Sequence, residues 1–141
     1  MNKKILIASD HGGFKLKRKL IEFLTKKGHN VTDLGAYEYN SKDDYPDYAK
    51  KLTRKIKNDL GILICRTGQG MCITVNKFSG IRAALVWDAK SAKDAKEHLN
   101  ANVICIGGDR TKEDAAKKIV ISWLNSKFLK GRHLRRIKKI R

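Results

Sequence analysis

The stretch Cys65-Arg66-Thr67-Gly68-Gln69-Gly70 brings together a thiol, a hydroxyl and two glycines. A cysteine works as a thiolate, as nucleophile or base, when nearby N–H groups stabilise its charge. Loop amides beside it can also hold an oxyanion developing on a substrate. The same residue type equally describes a small inert core thiol. Cys105, inside the apolar run Val103-Ile104-Cys105-Ile106, reads that way, and Cys72 carries no assigned role. A second candidate is Asp10-His11-Gly12-Gly13. Its glycines let backbone approach a ligand closely, and a helix following it offers free N–H groups to an anion. A plain helix-capping turn would use the same residues. The segment lacks both the GxGxxG fingerprint and a Walker lysine. His98 is a lone imidazole, either a proton carrier or a capping group. Arg132 and Arg136 are four residues apart, so on a helix they share a face. Such a pair either grips one phosphate or belongs to a basic solvated surface.

These residues need elements to position them, and the hydrophobic pattern supplies strands alternating with helices. Ile5–Ala8, Val31–Leu34, Gly61–Cys65, Ile81–Val86 and Val103–Ile106 read as strands. Phe14–Lys27 reads as a helix with Leu16, Leu20 and Leu24 on one stripe, stopped by Gly28. Pro46 opens a helix in which Tyr48, Leu52 and Ile56 recur every fourth residue. Residues 66–72 read as a loop, and Asp88 as the cap of the next helix. Thr111 with Asp114 resembles a capping box, leading to a face of Ala115, Ala116, Ile119, Val120, Trp123 and Leu124. The tail from Arg132 reads as a last helix. Such alternation implies a parallel sheet covered on both faces, with ligands bound beyond the carboxyl ends of its strands. Residues 10–13, 65–72 and 107–110 all fall at those ends.

Composition bounds the class. A chain of 141 residues suits one domain, and 41% hydrophobic residues suffice for a core. No apolar run reaches the roughly 20 residues that span a bilayer. The apolar stretch near the N-terminus is too short for a secretory signal, so a cytoplasmic location is expected. Three cysteines without a CxxC pair fit neither a disulfide framework nor a zinc ribbon. The formal net charge is +18, from 32 Lys+Arg against 14 Asp+Glu. This balance suits polyanion binding, or else lysine-rich solvated helix faces. A nucleic-acid-binding module using the basic tail is the reading from another class. It lacks interleaved aromatics for stacking, since Phe128 is the only aromatic after Trp123.

As a set the motifs resemble ribose-5-phosphate isomerase type B and its allose- and galactose-6-phosphate isomerase relatives. The match runs through Asp10-His-Gly-Gly-Phe-x-Leu-Lys17, Asp44-Tyr-Pro46, Ile64-Cys-x-Thr-Gly-x-Gly70, Asn76-Lys-Phe-x-Gly-Ile-Arg-Ala83, His98 with Asn102-Val103, Gly107, and Gly131-Arg-His133 with Arg136. The resemblance implies an α/β fold: one Rossmann-like three-layer domain over residues 1–141, with a five-stranded parallel sheet and a C-terminal helix from about 131. It implies a homodimer with shared active sites, in some members paired into a tetramer, and an aldose–ketose isomerase of the pentose phosphate pathway that needs no metal or cofactor. Ribose 5-phosphate is the expected substrate, with a hexose 6-phosphate as the alternative.

Carried over by position, Cys65 is the base that moves a proton between C1 and C2. The N–H groups of residues 67–70, hence Gly68, Gln69 and Gly70, hold the enediolate. Thr67 and the partner's His98 open the sugar ring, and Asp10 orients hydroxyls. His11, Arg132 and Arg136 take the phosphate with Arg110 from the partner, while Tyr45 and Asn102 line the sugar. Two positions depart from the family pattern. Arg66 stands where the family usually has glycine, which predicts backbone strain if φ is positive there, or else a charge beside Cys65. Leu99 stands where ribose-type enzymes usually carry asparagine.

Overall fold

Three uninterrupted apolar runs make the centre of the sheet: β1 (Ile5–Ser9), β3 (Leu60–Cys65) and β5 (Val103–Gly107) are buried throughout. The edges are β2 (Val31–Asp33) and β4 (Ala83–Leu85), each shorter and half-buried. This is a computed structural model, and it describes residues 3–140. All strand pairs are parallel, in the order β2-β1-β3-β5-β4. The helices are α1 (Phe14–Lys26), α2 (Tyr45–Lys55), α3 (Gln69–Val75), α4 (Ala89–Leu99), α5 (Glu113–Asn125) and α6 (Arg132–Ile137).

Alternation along the strands divides the core in two. Ile5, Ile7, Ile62, Ile64, Ile104 and Ile106 pack on one face against α1, α4 and α5. Leu6, Ala8, Leu63, Cys65 and Cys105 pack on the other against α2 and α3. Cys65 thus belongs to the thinner layer, beneath α3. Trp123 of α5 is fully buried, and its indole N–H donates to the Ala101 carbonyl at 3.1 Å. Burying a large side chain of this kind contributes about 1.5–3 kcal/mol.

The connections turn in opposite directions on either side of β1: β2 flanks it on one side and β3 on the other. A crevice opens at such a switch point, beyond the strand ends. Asp10 follows β1 and Cys65 ends β3, and the Ser9–Ile64 pairing makes them neighbours there.

Several local expectations are corrected. Residues 69–75 form α3, so the loop read as 66–72 is confined to Arg66, Thr67 and Gly68. The short loop Asp10–Gly13 contains a 3₁₀ turn over His11–Gly13, capped by Asp10. The Thr111–Asp114 capping box is absent: α5 begins at Glu113 after Lys112, with no side-chain cap. Ala115 is exposed, in the first turn of α5 at the margin of its buried stripe. Asp88 does cap α4, accepting from Ser91 N at 2.7 Å while Ser91 Oγ accepts from Asp88 N at 3.1 Å.

Candidate active site

Cys65 is 5% exposed at the carboxyl end of β3, and its Sγ accepts from Gly68 N at 3.2 Å. The backbone achieves this by turning through Gly68, whose φ of 77° is left-handed. A Cβ there would also lie 2.7 Å from Leu85 Cδ1 and 2.9 Å from the Ile106 carbonyl carbon. Arg66, one residue after the cysteine, is not left-handed: among the described residues only Asn100 and Lys130 are non-glycine positions with positive φ. The strain expected at Arg66 therefore does not arise. Its guanidinium turns to Asp109, Nη1 to Oδ2 3.2 Å, in an exposed pair.

Close backbone approaches knit the three strand-end loops together. Gly12 lies against Arg66, where an added Cβ would sit 2.9 Å from Arg66 N. Gly108 N donates to the Cys65 carbonyl at 2.7 Å, and Asp109 N to the Arg66 carbonyl at 3.0 Å. Gly107 faces the Thr67 backbone, with room for no side chain. Tyr45, at the start of α2, lays its ring over Gly70, where a Cβ would be 2.5 Å from Cε1. Thr67 Oγ1 accepts from Gln69 N at 3.4 Å, just before α3 begins.

Asp10 is buried, and its Oδ1 accepts from Gly12 N at 2.9 Å. Burial holds its carboxyl above the usual aspartate value, against the pull of the Gly12 N–H. His11 is clamped by Asp43: Oδ1 accepts from His11 N at 3.1 Å and lies 2.6 Å from Nδ1. The sequence reading missed Asp43 because the contact spans 32 residues and the Tyr-Pro motif points to Asp44 instead. Beside it, burial first and the Asp43 charge second raise the Tyr48 phenol above its usual value. Asp10, His11 and Asp43 offer ligand-type atoms within 4.8 Å of one another, although Oδ1 of each carboxylate is already held by backbone N–H. Lys17, from the same sequence motif, supports this edge from beneath. It is fully buried and donates to Asp33 Oδ1 at 2.8 Å, Asp33 Oδ2 at 2.9 Å and the Ala36 carbonyl at 2.8 Å.

Asp10, His11, Tyr45, Cys65, Thr67, Gly68, Gln69 and Gly70 are thus gathered at the carboxyl edge. Arg110 is exposed in the turn after β5, on the same edge of the same chain, its N–H bonded to the Gly107 carbonyl at 3.1 Å. A second group lies elsewhere. His98 is exposed in the last turn of α4, which returns the chain to the amino edge of β5. Five strand residues at ~3.3 Å each separate the two edges by about 15 Å. His98 stacks on His133 of α6, with centroids 4.6 Å apart and planes 15° apart. Loss of hydration, then the His98, Arg132 and Arg136 charges, hold His133 below the usual histidine value. Arg132 and Arg136 are exposed on α6, which packs on α4. The end of α4 is itself held by Arg82, whose Nη2 donates to the Asn100 carbonyl at 2.8 Å. Asn102, read from the sequence as lining the sugar, lies with this second group. It precedes β5 at the amino edge, where its amide is engaged: Oδ1 accepts from Arg82 N at 2.8 Å and Nδ2 donates to the Gly80 carbonyl at 2.9 Å. It ties β5 to the turn before β4 and does not join the Cys65 group.

The chain is similar to known proteins over nearly its whole length. The ribose-5-phosphate isomerase B of Escherichia coli is 38% identical over 98% of this chain and 94% of that protein. The ribose-5-phosphate isomerase B structure from Clostridium thermocellum superposes with a TM-score of 0.94 at 43% identity, covering 97% of this chain and 94% of that one. The Mycoplasma genitalium structure, solved with bound ribulose-5-phosphate, gives a TM-score of 0.91 at 45% identity, covering 97% and 93%. A family model described as Ribose/Galactose Isomerase matches residues 5–140, so that the whole architecture built up above, from β1 to the basic tail helix, makes this chain a member of the ribose/galactose isomerase family.

Proposed function

We propose that this enzyme interconverts ribose 5-phosphate and ribulose 5-phosphate, with Cys65 as the base. The observation that carries this reading is the Gly68 N–H aimed at Cys65 Sγ at the switch point of the sheet. The thiolate takes the proton from C2 of the open-chain aldose, leaving an enediolate with its negative charge on O1. The O2–H proton passes to O1, and the thiol returns its proton to C1 as O2 becomes the ketone oxygen. Carbon, oxygen and proton counts are unchanged, and the reaction needs no external oxidant. The N–H groups around Gly68, Gln69 and Gly70 stabilise the oxyanion of the intermediate. Thr67 assists ring opening, Asp10 holds sugar hydroxyls, Tyr45 covers the sugar, and His11 meets the phosphate. The reading gives no part to a metal.

A second copy of the chain completes the site. The position of His98, Arg132 and Arg136 away from their own Cys65 supports a dimer in which the partner's His98 opens the ring and the partner's tail arginines grip the phosphate. Arg110 lies at the same edge as Cys65, which favours a phosphate contact within its own chain over one from the partner. The three free thiols suit a reducing cytoplasm. Leu99, 43% exposed beside His98, favours a second reading with a six-carbon sugar phosphate, since an apolar group there loses a hydroxyl contact.

Purified wild type and Cys65→Ala, assayed with ribose 5-phosphate, allose 6-phosphate and galactose 6-phosphate, test both readings. Wild type is expected to prefer ribose 5-phosphate, and Cys65→Ala to lose at least about 10²–10⁴ in kcat. Near-normal turnover by Cys65→Ala would refute the proposed base, and a six-carbon preference would replace the substrate.

A further inference from the structure

Asp43 is a second-layer carboxylate with unusual commitments. Its side chain is 8% exposed, yet it lies in the connection before α2, where aspartates are ordinarily solvated. Both of its hydrogen bonds go to one residue: Oδ1 takes the backbone N–H of His11 and faces its ring Nδ1 at 2.6 Å. Oδ2 is buried without any partner. An unsatisfied buried carboxylate oxygen costs more than an ordinary hydrogen bond returns. Stability alone therefore does not account for an acid at this place. The Asp43 clamp does, however, have a chemical result. A carboxylate accepts, so Nδ1 carries a proton toward Asp43, and Nε2 is the nitrogen left to meet a ligand. The backbone bond fixes the same residue's main chain, so both ring identity and ring direction are set from one oxygen.

We propose that Asp43 is a positioning residue for the isomerisation, holding Nδ1–H of the His11 ring so that Nε2 is the nitrogen turned to the phosphate of the sugar, to which it donates when the ring carries both protons. The proposal rests on the reading of His11 as a phosphate contact. It acts on substrate binding in preference to proton transfer at C1 and C2, because phosphate is remote from the reacting carbons. Its signature is a rise in KM with kcat largely retained. Tyr48 and Asp10 are the other titratable groups facing Asp43: the Tyr48 hydroxyl interacts with the carboxylate but does not reach hydrogen-bond geometry with Oδ2, and Asp10 brings a second carboxylate.

The test compares wild type with Asp43→Ala, Asp43→Asn, His11→Ala and the double variant Asp43→Ala/His11→Ala. Steady-state kinetics with ribose 5-phosphate are combined with ¹⁵N spectra of the His11 ring, with and without inorganic phosphate. Asp43→Ala is expected to raise KM about 10–100-fold, the usual loss when an outer partner of a binding histidine is removed. Asp43→Asn is expected to stay near wild type, because its amide oxygen still accepts both N–H groups. In the His11→Ala background, removing Asp43 is expected to add little, since the two residues act as one unit. The wild-type ring is expected to carry a proton on Nδ1 with and without phosphate, a measurement independent of whether any variant folds. A wild-type ring with no proton on Nδ1, an unchanged KM in Asp43→Ala, or the same penalty with and without His11 would each overturn the proposal. Wild type inactive on every sugar phosphate, with the ring proton on Nδ1 and responding to inorganic phosphate, would overturn the isomerase reading and leave the Asp43 clamp supported.

Discussion

Replacing Gly68 by alanine adds one methyl group at the point where Cys65 Sγ meets the Gly68 N–H. The backbone there has φ of 77°, which costs an L-residue about 1 kcal/mol. The methyl would sit 2.9 Å from the Ile106 carbonyl carbon and 3.1 Å from Gly107 N, both backbone atoms of the central strand β5. These cannot swing aside, so the loop itself must move, at a further cost of about 1–3 kcal/mol. The total is roughly 2–4 kcal/mol, or a fall in Tm of about 6–15 °C for a chain of this size. Movement of the loop carries Gly68 N away from Cys65 Sγ, now 3.2 Å distant. Losing a hydrogen bond to a charged group is worth about 1.5–3 kcal/mol, so kcat should drop roughly 10–100-fold. Thermal melts and initial rates with ribose 5-phosphate, taken well below the new Tm, measure the two effects separately. A destabilised variant with kcat within about twofold of wild type would refute the claim that this N–H supports the thiolate.

Asp10→Asn is expected to remove activity while stabilising the fold. Burial raises the native carboxyl above its unfolded value, so the native state binds the extra proton between the two values. The contribution is present in acid and is lost as pH rises through the folded value. Melts of the variant should therefore exceed wild type at neutral pH and converge with it in acid. Lys17→Met keeps the stem but strips three hydrogen bonds from a fully buried ammonium site. It should cost about 2–4 kcal/mol in chemical denaturation, discounted because Asp33 is partly solvated and can rehydrate. Among the thiols, Cys72 is held down to about 7, chiefly by the Cys105 S–H donating to it, whereas burial pushes Cys105 well up. Peptide-resolved alkylation by iodoacetamide should show Cys72 reacting with a midpoint near that pH and Cys105 inert. Equal labelling of both would contradict this assignment.

The sheet was legible because each central strand is a short apolar run closed by a polar or glycine-rich segment. Leu60–Cys65 and Val103–Gly107 are examples, and once their order is parallel, Asp10 and Cys65 must converge. The α3 helix was not legible. Its seven residues begin directly after a left-handed glycine and include Gly70, so composition favoured a loop. Arg66 misled for a related reason: the residue type drew attention to its own φ, while the turn is made two residues later. Asp43 was invisible because its role is a contact across 32 residues, with no periodicity to betray it. Asn102 was placed by motif alone. Its amide is consumed by Arg82 and Gly80, partners that only the fold brings to it.

The stacked His98–His133 pair and the α6 arginines sit a strand's length away from their own cysteine. Under the two-copy reading, no isolated chain is an enzyme. Turnover then depends on concentration in a way ordinary saturation does not describe. Once the protein is diluted below the point where copies separate, the rate falls with the square of the amount of protein present. Association thereby becomes part of the catalytic equipment, and whatever loosens the pairing switches off a site whose own residues are intact.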